Sequence, residues 1–190
     1  MKPYEALPTS VRYKGKVYDL NLSYGAFYAA LDALNDPRLL DGVKLSTALD
    51  LLVESPHPVD PGLLGAVVEL IRDHRPHGDQ RKLLDVEQDW GYICAAFLQV
   101  YGIDLYQDKT LHILQFRALL ESLPKNTKIA DIVTIRGAEI PELNKHNAKQ
   151  VAELTRLKAL YALQDPGGNI QDGWARMFNA LSARAVNHNA

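Results

Sequence analysis

The sequence predicts a mainly α protein: a single helical domain carrying a short β-hairpin near its N-terminus. Three observations predict it. After Asn21 apolar residues recur at helical spacing in one segment after another. Period-two alternation is confined to about residues 10–21. Breakers built on proline and glycine part the helical segments. The chain has 190 residues, 47% of them hydrophobic, enough for a core without disulfide or metal staples.

Each element follows from its residues. After an irregular lead-in with Pro3 and Pro8, Val11 and Tyr13 alternate with Arg12 and Lys14, and Val17 and Asp19 with Tyr18 and Leu20. Lys14-Gly15 supplies the tight turn, where positive φ has to be tolerated. Such a hairpin is marginal alone and has to lie against helices. Phe27, Ala30, Leu31 and Leu34 predict a helix stopped by Asn35-Asp36-Pro37. Leu45, Leu49, Leu52 and Val53 predict a second, and Leu64, Val67, Val68 and Ile71 a third. Asp60-Pro61 opens the third as N-cap and first helical residue. The polar stretch near 75–83 reads as a mobile connector.

Asp85 with Gln88 three residues later is a capping-box pattern, predicting a helix over about 86–101. Trp90, Ile93, Cys94, Phe97 and Tyr101 share one of its faces, and Gly102 is its C-terminal cap. Residues 111–123 are apolar almost all round, so this helix and 86–101 are expected to form the centre of the core. Thr127 caps a short helix carrying Ile129, Ile132 and Val133 and closed by Gly137. A longer one runs from about Lys145 to Leu163. Residues 1–163 form the predicted domain. Residues 164–190 form an extension, in which Asp165-Pro166-Gly167-Gly168 turns into a last helix.

Composition excludes more than it assigns. Lys and Arg total 21 against 23 Asp and Glu, a net charge of -2, without the basic excess that phosphate contacts need. A single cysteine, Cys94, excludes an internal disulfide and a cysteine-rich zinc site. No run of about 18 apolar residues could span a membrane, and the first residues lack the apolar core of a signal peptide. The chain is expected in the cytoplasm. No nucleophile-elbow, metalloprotease, kinase or dinucleotide pattern occurs, so no catalytic, cofactor or metal residue is assigned and no enzyme is expected.

Several constellations have a bland reading beside a chemical one. His74 and His77, with Asp73 and Asp79, are broken by Pro76 and Gly78 and read as a solvated linker rather than a metal site. Asp85, Glu87 and Asp89 read as carboxylates facing a positive helix end. Cys94, on an apolar face, reads as core. Residues 111–137 have the outline of a helix-turn-helix, the basis for a competing DNA-binding or regulatory reading. Its second helix offers only Lys128 and Arg136, offset by Asp131, and is apolar for a recognition helix. In the extension, Ile170, Trp174, Met177, Phe178 and Leu181 form one stripe. Trp174, Met177, Phe178 and Leu181 are the candidate partner-binding residues, for a client or for a homo-oligomer, because such side chains are enriched at interface cores. The alternative is that the stripe packs on its own body.

A resemblance sharpens this. Glu87-Gln88-Asp89 is followed by Tyr92-Ile93-Cys94-Ala95-Ala96-Phe97-Leu98-Gln99-Val100-Tyr101-Gly102-Ile103-Asp104-Leu105. Further blocks are Leu111-His112, Phe116 to Leu120, Leu123-Pro124, Thr127-Lys128, Ile132 to Arg136, Ile140-Pro141, Asn147-Ala148 and Leu154 to Tyr161, with Leu7 to Val11, Gly15 and Tyr18 at the start. Over about residues 7–162 the chain resembles the bacteriophage gene-product-fifteen proteins of tailed phages and prophages. It departs at Ile113-Leu114, where the family often has Trp-Trp, and in the Trp174 helix, which lies past the family's usual end. The resemblance implies a non-catalytic tail assembly chaperone, encoded near the tape-measure gene. Its partners would be the tape-measure and tail-tube proteins, and its place the cytoplasm of an infected or lysogenic bacterium.

Overall fold

The computed structural model describes residues 6–72 and 82–164. Strands β1 (Ser10–Tyr13) and β2 (Lys16–Asp19) lead into α1 (Tyr24–Asn35), α2 (Asp41–Leu52), α3 (Pro61–Ile71), α4 (Trp90–Tyr101), α5 (Ile113–Glu121), α6 (Lys128–Gly137) and α7 (Ala148–Leu160). The protein is mainly α with an N-terminal antiparallel hairpin. Its described residues fall into two compact units, 6–72 with 108–118, and 82–107 with 119–164.

In the first unit the hairpin pairs Ser10 with Asp19 and Val11 with Tyr18. Lys14 and Gly15 both have positive φ, 47° and 78°, the geometry whose twist matches the flanking strands. Val11, Tyr18 and Leu20 are buried, while Val17 faces out. Asp60 does two jobs. Its Oδ1 accepts from Gly62 N at 2.9 Å as the cap of α3, and its Oδ2 takes the Tyr13 hydroxyl at 3.0 Å and Lys14 Nζ at 2.8 Å. One carboxylate thus starts a helix and ties the hairpin to it.

Helices α1 and α2 pack together, burying Phe27, Ala30, Leu31 and Leu34 against a layer of Leu45, Ala48, Leu49 and Leu52. Val53, expected within the second helix, leaves it to bridge Leu20. Asn21 N reaches Leu52 O at 3.0 Å and Glu54 N reaches Asp19 O at 2.9 Å, so the ladder of β2 competes successfully for this backbone. On α3 the buried set is Leu63, Leu64, Val67 and Ile71, with Leu63 in place of the expected Val68.

The helix expected from Leu111 begins at Ile113. The preceding residues are drawn into an extended pairing, Tyr24 N to Leu111 O at 2.9 Å and Ile113 N to Leu22 O at 2.8 Å. His112 caps α5: its Nδ1 accepts from Leu114 N at 3.1 Å, so Nε2 carries the proton and donates to Pro8 O at 3.1 Å. Only Ile113 and Phe116 of α5 are buried; Phe116 stacks on Tyr24, ring centroids 5.0 Å apart. Leu114, Leu119 and Leu120 are half-buried, which corrects the expected central place of this helix. An all-round apolar sequence marks what a helix could bury, not how many neighbours it has.

In the second unit α4 packs on α6, and α6 on α7. Helix α4 starts at Trp90, four residues later than the capping pattern indicates, because 86–89 form a turn. Asp85 Oδ1 does accept from Gln88 N at 2.8 Å. The return bond to Asp85 N comes from Asp89 Oδ2 at 3.0 Å, not from Gln88. Gln88 instead spans to the end of α7, donating to Ala162 O and accepting from Gln164 N, both at 2.9 Å. Gly102 ends α4 in the left-handed conformation, φ 69°, with its N–H on Leu98 O at 3.1 Å. Helix α7 is shorter than expected, and none of its residues is fully buried.

Candidate interaction surface

Asp89 corrects the reading of the acidic cluster as carboxylates facing a positive helix end, since its side chain is taken up by an arginine instead. It is 1% exposed, and it faces Arg136 on α6, whose side chain is 7% exposed. The guanidinium holds the carboxylate at both oxygens, 2.6 Å from Nη1 to Oδ2 and 2.8 Å from Nη2 to Oδ1. Nη1 also donates to Leu83 O at 3.0 Å and Nε to Tyr161 O at 2.6 Å. Four segments of the second unit meet there: the lead-in to α4, the start of α4, the end of α6 and the end of α7. Beside it Gly137 admits Leu83, whose Cδ1 lies 3.2 Å from where a Cβ would stand.

This arrangement is architectural. It also removes Arg136 from the solvent-facing cations of the helix-turn-helix outline. The other named cation, Lys128, lies 4.8 Å from the centroid of the Tyr161 ring. The buried Ile129 and Ile132 take up the inner face of the same helix.

Cys94 is core, as its setting predicts. Burial pushes its thiol pKa up, away from the reactive thiolate. Among the described residues no group of three or more His, Cys, Asp or Glu side chains could hold a metal ion. No helix there is long and apolar enough to cross a membrane. Trp174, Met177, Phe178 and Leu181 lie outside the described residues, as do Asp73, His74, His77 and Asp79.

The surface feature that sequence reasoning passed over is the outward face of α4. The helix contains no charged residue. Ile93, Cys94, Ala96 and Phe97 point inward and are buried. Gly91, Tyr92, Ala95, Leu98 and Gln99 point out, with Leu98 55% and Tyr92 40% exposed. Small residues floor this face, and a Cβ on Gly91 would have no neighbour within 4 Å. Tyr106 stands to one side, 62% exposed, its ring edge-on to Trp90 at 6.4 Å. Asp104 lies beside it, its Oδ1 accepting from Tyr106 N at 2.9 Å. The signal was present as twelve consecutive uncharged positions, where a helix covered on one side normally alternates with polar residues.

The family model described as Bacteriophage Gp15 protein matches residues 4–163. No curated protein and no solved structure matches the chain.

Proposed function

Because the chain belongs to the bacteriophage Gp15 family and is a phage protein, we propose that it serves tail morphogenesis as a non-catalytic assembly chaperone. In this reading it keeps the apolar helices of the tape-measure protein soluble in the host cytoplasm and helps bring tail-tube subunits to them. The observation that carries the reading is the uncharged outward face of α4. Exposed Tyr92 and Leu98 beside Gly91 and Ala95 offer apolar contact to a helical client without a charge to desolvate.

The test is co-expression with the tape-measure protein of the same phage. The expected result is a soluble tape-measure protein that co-purifies with this chain, and loss of both on Leu98→Glu. A tape-measure protein equally soluble without this chain, or insoluble with it, would overturn the reading.

A further inference from the structure

Helix α7 stops at Leu160, although the residues that follow it suit more helix. Tyr161 to Gln164 contain neither proline nor glycine, and Ala, Leu and Gln are good helix formers. The first breaker is Asp165-Pro166. What turns the chain aside earlier is a set of bonds from side chains elsewhere in the second unit. Arg136 Nε donates to Tyr161 O at 2.6 Å. The Gln88 carboxamide donates to Ala162 O and accepts from Gln164 N, both at 2.9 Å. It engages the backbone on either side of Leu163 as a neighbouring strand would. A continued helix would send the same Gln164 N–H to Leu160 O, so carboxamide and helix compete for one donor.

Both arms of this clamp are set by Asp89. Its carboxylate takes Asp85 N at 3.0 Å, closing the turn that carries Gln88, and it holds both Nη atoms of Arg136. The arms differ in exposure. Arg136 is buried with its partner, whereas Gln88 is exposed, and water can take over its amide while the buried pair stays intact.

We propose that Gln88 and Arg136 form a conformational latch that holds the end of α7 unwound, and that opening it at Gln88 winds residues 161–164 onto the helix. Winding adds roughly 6 Å of helix axis and re-aims the chain at the point where residues 165–190 begin. Asp165, preceding proline, then ends the helix. The latch goes beyond the chaperone reading and does not depend on it.

The test is backbone NMR of the full chain, natural and Gln88→Ala. Because Gln88 is exposed, the variant stays folded. In the natural chain Ala162 and Leu163 are expected to lack helical Cα shifts. In Gln88→Ala both shifts move downfield to helical values, and a contact between Leu160 Hα and the Leu163 amide proton appears. Adding Ala162→Gly to Gln88→Ala removes the gain, because glycine opposes the winding.

Shifts at residues 161–164 that are the same in the natural chain and in Gln88→Ala overturn the proposal, since the amide would then hold nothing unwound. Shifts that move to random-coil values overturn it as well, because the opened end would fray instead of winding. So does a helical gain that survives Ala162→Gly undiminished, since the helix preference of these residues would then not drive it.

Discussion

Replacing Asp89 by alanine is the most direct test of how the second unit is held. The guanidinium of Arg136 would keep Leu83 O and Tyr161 O but lose both carboxylate bonds, at 2.6 and 2.8 Å, in a place where its side chain is 7% exposed. Asp85 N would lose its bond as well. Breaking a buried pair from one side costs about 3–5 kcal/mol, chiefly because a charge is left without compensation. Whole domains hold about 5–15 kcal/mol, so the loss is a large share of the total. At about 2–4 °C per kcal/mol for a chain of this size, the melting temperature should fall by roughly 6–20 °C. The assay is thermal and urea unfolding of the single variants Asp89→Ala and Arg136→Met and of the double variant that carries both. The double variant should lose less than the two singles together, because no uncompensated charge remains. A loss below about 1 kcal/mol for Asp89→Ala, the range of exposed pairs, or strict additivity in the double variant, would refute this account of the pair.

Three further outcomes follow from local geometry. Burial holds the His112 pKa below its ordinary value of 6.5, so the native state binds fewer protons than the unfolded chain. Its contribution is complete above pH 6.5 and declines as pH falls below that value, because a protonated Nδ1 can no longer accept from Leu114 N; urea midpoints between pH 7.5 and 5.5 should drop for the natural chain and stay flatter for His112→Asn. Gly62→Ala places a Cβ against the hydroxyl of Tyr13 and should lower the melting temperature more than Gly42→Ala, whose Cβ meets nothing within 4 Å. Glu153→Gln should leave the melting temperature unchanged, since its pairing with Arg156 joins side chains 54% and 63% exposed, where solvent screens the attraction.

The elements legible in the sequence are those whose cause lies within a few residues. Lys14-Gly15 needs only its own φ values to make the turn, Asp60-Pro61 only the next N–H groups to start α3, and Gly102 only the absence of a Cβ to end α4. The helical periods of α1, α2 and α3 likewise record a single apolar stripe each, and the ordered blocks from Glu87 to Tyr161 were enough to identify the family. What only the tertiary structure decided are the matters settled by residues far apart in the chain. Val53 left its helix for Leu20, and Leu111 was drawn to Tyr24, because a distant backbone segment offered a competing set of bonds. Asp89, legible only as a carboxylate at a helix start, became a buried anchor because Arg136, 47 positions away, was brought to it. The outward face of α4 was decided in the same way. The inner face of that helix was legible, since Ile93, Cys94 and Phe97 share the apolar face that the sequence marks, but that the opposite side stays uncovered was not. A stripe that satisfies one neighbour cannot turn to meet a second, so Tyr92, Ala95 and Leu98 were left facing outward.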